Sequence, residues 1–300
     1  MKRVLKWLGI LIVVALVGGG IFVTTQVMAF NSSTSKVYDI PLPKIERSTD
    51  PTVIARGKHL AESVAGCAIS ACHGKDLSGG ETTDLGPIGT MKAQNLTPAG
   101  IGGKYSDGEI ARLLIHGVKR DGTTVLMMPV PDFNWLPDDD MQAIISYIRS
   151  VPPVEKGERG FKAGTLGKIL DRQDKFVIDV ARRIDHTKRI SAPTPAPTAA
   201  YGAYVSRLCN GCHGEHYSGG PIPGAPPSIP IPKNITPDET GIKDYTFADF
   251  NKLLDTGIRR NGEKLNPFMP VEALRQMNET ERTALWTFLR SLEPRKFGGR

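Results

Sequence analysis

The chain has 300 residues, 40% of them hydrophobic and 23% charged, with a formal net charge of +7. That length suits two compact domains better than one, and the balance is that of an ordinary globular protein. Three of the bases, Lys2, Arg3 and Lys6, precede an apolar segment; without them 35 bases face 31 acids, too even a balance to mark a nucleic-acid partner. All four cysteines fall in two short segments, which excludes a disulfide framework stapling distant loops and points to local chemistry.

From the N-terminus, Trp7 to Val23 is apolar or glycine, and no charge appears before Lys36. Bases followed by an apolar run predict export, with the basic end left in the cytoplasm. Residues 1–30 read as a transmembrane anchor or a signal segment. Val27-Met28-Ala29 offers a cleavage site, but the run exceeds the usual signal core of about 7–15 residues and approaches spanning length, which favours a retained anchor. Residues 31–51 read as a polar, proline-bearing stalk.

The next hundred residues recur later in the chain. The first copy contains ARGKHL, CAISACHGKDLSGG, NLTP, GVKRDG, a Met-Pro pair and MQAIISYIRSVPP; the second contains AYGAYV, CNGCHGEHYSGG, NITP, GIRRNG, Met-Pro and ERTALWTFLRSLEP. His73 lies 55 residues before Met128, and His213 lies 56 before Met269. Shared order and spacing predict two homologous domains, over 52–154 and 200–296. Each reads as three helices with long loops. The first runs over Thr52–Val64 or Tyr201–Leu208. The second starts at Ser106 with Glu109, or at Thr246 with Asp249, as capping-box-like pairs. The third runs over Pro137–Val151 or Asn278–Leu292, with Asn278 as N-cap and Glu281 behind it. Strand signals are nearly absent. Between the domains, 155–199 reads as a linker, with one short helix over KILDRQDKFVIDVARRI and a stiff SAPTPAPTAA stretch. Three short helices bury too little for a domain of this size, so something else is expected to fill each centre.

Cys209-Asn210-Gly211-Cys212-His213 matches C-x-x-C-H, the attachment signature of haem c. Two thiols add to two vinyl groups on one porphyrin edge, and the adjacent histidine then reaches the iron. A structural zinc site needs about four ligands, and each copy has three nearby. A redox dithiol needs neither the histidine nor a second copy. The first site is wider, with four residues between Cys67 and Cys72 before His73. The alignment of Cys72-His73-Gly74 with Cys212-His213-Gly214 reads as a looped-out version, with single attachment through Cys72 or an unoccupied site as the alternatives.

The CHG motifs, NLTP from Asn95, NITPDETGI from Asn234, the Met-Pro pairs and the closing helices carry a resemblance. The chain is similar to diheme cytochromes c built of tandem class I domains, like the cytochrome subunits of membrane-bound alcohol dehydrogenases. The resemblance covers about two thirds of the chain; those subunits usually have three haem domains, and here there are two. It implies a mostly α fold, with two class I cytochrome c domains after an N-terminal transmembrane helix. It implies two covalent haem c groups on Cys67, Cys72, Cys209 and Cys212, with axial ligands His73 and Met128 in one domain, His213 and Met269 in the other. Met127 is a possible substitute for Met128, though only Met128 keeps the proline match. Met91, Met141 and Met277 read as packing residues. His59, His116 and His216 have no counterpart in the other copy and read as structural or exposed. Asn95 and Asn234 read as turn-makers or propionate contacts. Gly57 and Gly202 are expected to let the first helix approach Tyr147 and Phe288 of the last.

With both irons six-coordinate, the expected function is electron transfer in a respiratory chain of the bacterial cytoplasmic membrane. The anchor would be single-pass, with the N-terminus cytoplasmic and the haem domains periplasmic. The expected partners are redox proteins: a dehydrogenase donor, and a cytochrome or terminal oxidase as acceptor. Two alternatives remain: a diheme peroxidase-like enzyme, which needs a vacant iron position, and an electron-accepting subunit of a membrane dehydrogenase.

Overall fold

The computed structural model describes residues 2–157, 160–188, 193–223, 225 and 229–300. Helix α1, Lys2–Thr34, is apolar enough and long enough to cross a membrane. Within it the Thr24 and Thr25 hydroxyls donate to the carbonyls of Gly20 and Phe22, which masks them from an apolar surround.

The segment expected as a stalk lies along the first domain. Tyr38 N–H bonds Gly122 O, Ser48 N–H bonds the Ser146 hydroxyl, and Ile45 is buried. Then comes α2, Pro51–Glu62, with Asp50 accepting from Thr52 N–H and proline in the first turn. A hairpin of β1, Thr82–Asp84, and β2, Gly89–Lys92, follows, then α3, Ile101–Lys104. Helix α4, Asp107–His116, opens on the expected Ser106/Glu109 capping box and stops at Gly117 with φ 66°. Helix α5 is Asp138–Ser150.

The second copy repeats the main helices but has no counterpart of the hairpin or of α3 among the described residues. The first helix is split into α7, Ala199–Val205, and α8, Arg207–His213, instead of running on to Leu208. Helix α9, Phe247–Thr256, starts at the Thr246/Asp249 box; α10, Val271–Arg275, follows the Met-Pro pair; α11, Glu279–Ser291, starts at Asn278/Glu281.

The fold is mostly helical, as expected, and the few strands among the described residues form one small sheet. Strand β3, Gly160–Ala163, pairs antiparallel with β2 in register Gly89–Ala163, giving the order β1-β2-β3. The inter-domain segment is folded as well. Helix α6 occupies Thr165–Arg172, starting three residues before the stretch expected to be helical and covering only its first five residues, and a 3-10 turn covers Ala181–Arg183. Asp171, wholly buried, accepts from the N–H groups of Ile178 and Asp179 and pairs with Arg182. Ser191 and Ala192 of the proline-rich stretch lie outside the described residues.

In each copy the first helix crosses the last at a glycine. A Cβ on Gly57 would stand 1.8 Å from Ala143 O, and one on Gly202 2.0 Å from Ala284 O. Ala143 and Ala284 each lie one turn before Tyr147 and Phe288, and Phe288 Cβ stands 2.6 Å from the Cβ position of Gly202.

One continuous apolar core runs through both domains. Trp135 meets Tyr204 edge-on at 4.4 Å between ring centroids, and the Tyr204 hydroxyl donates to Asp140 at 2.8 Å. Asp140 also takes two bonds from Arg56, each at 3.0 Å. His59 Nε2 lies 2.8 Å from Glu281, whose side chain is wholly buried and also caps α11 through Asn278 N–H. His59 is thus structural, joining α2 of one domain to α11 of the other.

Candidate haem-binding sites

In the second copy, α8 carries Cys209, Cys212 and His213 on two turns and ends at Gly214, φ 84°. In the first, the chain leaves α2 through Gly66, φ 59°, and loops. His73 N–H bonds Cys67 O, while Cys72 N–H and Gly74 N–H both bond Ile69 O, each at 3.0 Å. The extra length is thrown outward, with Ser70 and Ala71 exposed. Cys67 and Cys72 remain close enough to interact electrostatically, as do Cys209 and Cys212. Burial pushes the thiols of Cys67 and Cys209 up to about 12 and that of Cys72 to about 11, so all three are neutral. These thiols stand in for the sulfurs that would carry the haem.

The two histidines are held identically. His73 Nδ1 lies 2.7 Å from Gln94 O, and His213 Nδ1 lies 2.7 Å from Lys233 O. A carbonyl is an acceptor only, so Nδ1 carries the proton and Nε2 keeps its lone pair. Burial lowers the pKa of both rings, which keeps them neutral. A neutral imidazole oriented by a hydrogen bond on its far nitrogen is a prepared metal ligand.

The two carbonyls are aimed by the turns that follow. Asn95 Oδ1 accepts from Thr97 N–H and hydroxyl, and Asn234 Oδ1 from the same groups of Thr236. Their amides donate to Val154 O at 2.7 Å and Arg295 O at 2.6 Å, tying each turn to the chain beyond the last helix. Both asparagines are therefore occupied as turn-makers. Gln94 and Lys233 escaped the sequence reading because they act through backbone; the only signal was their place immediately before the repeated Asn-x-Thr-Pro.

The Met-Pro pairs also share one geometry. Pro129 (φ −78°, ψ 61°) and Pro270 (φ −78°, ψ 60°) are centres of inverse γ-turns. The turns are closed by Val130 N–H to Met128 O at 2.8 Å and Val271 N–H to Met269 O at 2.7 Å. Met128 and Met269 both pack, half-buried, on the main core. Met127 has φ 66° and packs instead with the separate cluster of Phe30, Ile88 and Ile178. The side chain that could have replaced Met128 is committed elsewhere. His116 is likewise engaged, its Nδ1 3.2 Å from His186 Nδ1, and Met141 and Met277 are buried packing residues.

The two sites meet across the domain boundary. Ser70 N–H, in the first attachment loop, donates to Glu272 at 3.1 Å, and Lys75 pairs with Glu272 at 3.1 Å. Glu272 lies two residues after Pro270. Reciprocally, Gly211 of α8 faces Asp132, three residues after Pro129, with its Cβ position 3.1 Å from Oδ2. Burial pushes the Asp132 carboxyl up to about 7.

Each copy offers one neutral imidazole, a pair of neighbouring thiols and one thioether, the thioether and the first thiol packed on the apolar core. That chemistry fits haem c. Among the described residues no group of three or more His, Cys, Asp and Glu side chains is placed to hold a metal ion.

The family model for cytochrome c matches residues 54–152 and again 199–293. The chain is 39% identical over 114 residues to the cytochrome c subunit of the quinone alcohol dehydrogenase of Gluconacetobacter polyoxogenes, 34% of this chain and 24% of that protein. It is 34% identical over 94 residues to the gluconate 2-dehydrogenase cytochrome c subunit of Pantoea cypripedii, 29% of this chain and 21% of that protein. It is 33% identical over 109 residues to the fructose dehydrogenase cytochrome subunit of Gluconobacter japonicus, 32% of this chain and 22% of that protein. In each case the chain spans less than a quarter of the relative's length.

Proposed function

Because the chain belongs to the cytochrome c family, we propose that it is a two-haem electron carrier serving a membrane-bound dehydrogenase. Cys67 and Cys72 would hold one haem and Cys209 and Cys212 the other, with His73/Met128 and His213/Met269 as axial pairs. Each haem, when bound, supplies one-electron chemistry at its iron. The chain's own residues do the rest. Gln94 O and Lys233 O keep the imidazoles neutral and oriented. The Met128 and Met269 thioethers, as ligands, would favour ferrous iron and raise the potential. The apolar core against which Met128 and Met269 pack would keep water from a bound haem and limit the reorganisation that accompanies a change of charge.

The observation that carries this reading is the reciprocal contact between sites. Ser70 on Glu272 and Gly211 on Asp132 bring each attachment loop against the turn that presents the other domain's methionine. That proximity supports electron transfer between two bound haems inside one chain. Relatives named as cytochrome c subunits of alcohol, gluconate and fructose dehydrogenases support a dehydrogenase as donor. The three bases at the start of α1 support a cytoplasmic N-terminus, with the haem domains in the periplasm.

Stopped-flow reduction of the full-length protein in detergent by a small donor tests this. Both haems are expected to fill, to equilibrate internally at a rate independent of protein concentration, and to be reoxidised by a soluble cytochrome c. Carbon monoxide should bind the reduced form slowly or not at all. Rapid ligand binding together with fast peroxide turnover would show a vacant iron position and replace the carrier with a peroxidase.

A further inference from the structure

Between the two domains, residues 160–188 form a small folded unit on the outer end of α1. Phe30, 3% exposed, packs with Ile88 and Ile178. Lys168 Nζ lies 3.0 Å from Asn31 Oδ1 and 5.7 Å above the Phe30 ring, and the Ser33 hydroxyl donates to buried Asp179 at 2.5 Å. The helix therefore leaves the membrane into a fitted seat.

Its height follows from the sequence. A hydrocarbon core of about 30 Å needs about 20 helical residues, which from Trp7 reaches Gln26. Phe30 and Asn31 then stand about 6–8 Å further out, at the level of the headgroups.

The unit's charge is uneven. Asp171, Asp174 and Asp179 are taken up by Arg182 and Arg183, and Asp185 by Lys188. With seven bases against four acids the unit carries a net charge of +3, and Lys162, Lys168, Arg172 and Lys175 form no ion pair within 4.0 Å among the described residues. Beside them Leu166 and Val177, at 40% and 43%, are exposed large apolar side chains.

We propose that this unit is a membrane seat whose Lys162–Val177 face rests on anionic lipid headgroups, with Leu166 and Val177 dipping into the interface. Basic residues around a few apolar ones suit that surface, and the surface lies at that height. The segment between the domains is then more than a spacer. With β2–β3 pairing and the Met127 contact it fixes the tilt of the first haem domain on the membrane. The inference rests on α1 being a retained span.

The test uses the full-length haem-loaded protein in nanodiscs of phosphatidylcholine with or without phosphatidylglycerol. Nitroxide labels are placed at Leu166→Cys, Val177→Cys and, as a water-facing control in the second domain, Glu239→Cys. In discs with phosphatidylglycerol the first two are expected to collide more with oxygen than with a water-soluble nickel chelate, and the control the reverse. Lys162→Glu/Arg172→Glu/Lys175→Glu should return both to water. Labels at 166 and 177 as open to nickel as the control would overturn the seat while leaving the anchor standing. Labels shielded from both reagents would mean a protein contact and overturn it too. Failure of the chain to enter discs at all would overturn both the seat and the anchor.

Discussion

Replacing Gly202 by alanine adds one methyl group at a place where the structure has no room for it. The new Cβ would lie 2.0 Å from Ala284 O and 2.6 Å from both the Ala284 carbonyl carbon and Phe288 Cβ. An ordinary carbon–oxygen contact is roughly 3.3 Å or more, so α7 and α11 must part by about 1 Å. The obstacle is mostly backbone and cannot rotate away. Overpacking of this kind costs about 3 kcal/mol, and the better helix propensity of alanine returns about 1. A net loss of about 2 kcal/mol in a domain of this size lowers its Tm by about 8–16 °C. Circular dichroism in the far-ultraviolet and in the haem band, followed through heating, reads both helix and haem environment. Gly157→Ala, where nothing lies within 4 Å, is the matched control and should melt with the wild type. A Gly202→Ala protein melting within about 2 °C of wild type would refute the close crossing.

Asp132 yields a pH test. Its pKa rises from about 3.9 in the unfolded chain to about 7 in the fold, so the folded state holds the extra proton. Stability from this group is fully present below about pH 4 and is lost as pH rises through 7, by at most about 4 kcal/mol. Asp132→Asn should remove that loss, being more stable than wild type at pH 8 in urea titrations and no more stable at pH 4; equal curves at both pH values would contradict it. Glu281→Ala leaves Asn278 N–H and His59 without their partner and should cost about 3 kcal/mol, with the two domains unfolding less cooperatively. A single transition at the wild-type midpoint would mean the inter-domain pair contributes nothing.

Local signals were legible because they are written in adjacent residues. Ser106/Glu109, Thr246/Asp249 and Asn278/Glu281 all start helices where the capping pattern puts them. The two copies could be aligned against each other, so the glycine crossings were visible as well. What was hidden is non-local. Strands β1, β2 and β3 are three or four residues each, two contain glycine, and β3 joins its partner from about seventy residues away. No alternation can show in so short a run. The seat under α1 has no repeat to betray it, because it occurs once. His59 and Glu281 were readable singly, one as unpaired and the other as a cap residue, but their meeting depends on how the domains dock. The Gln94 and Lys233 carbonyls carry no side-chain signature at all.

The central claim is that each copy holds an iron between a histidine and a methionine. The weak far-red absorption of a methionine sulfur on ferric iron measures this directly. Wild type should show it at the strength of two haems, Met128→Ala and Met269→Ala should each remove about half, and Met127→Leu should leave it whole. A band that survives Met128→Ala and vanishes with Met127→Leu, or a wild-type band of one haem's strength, would contradict the account.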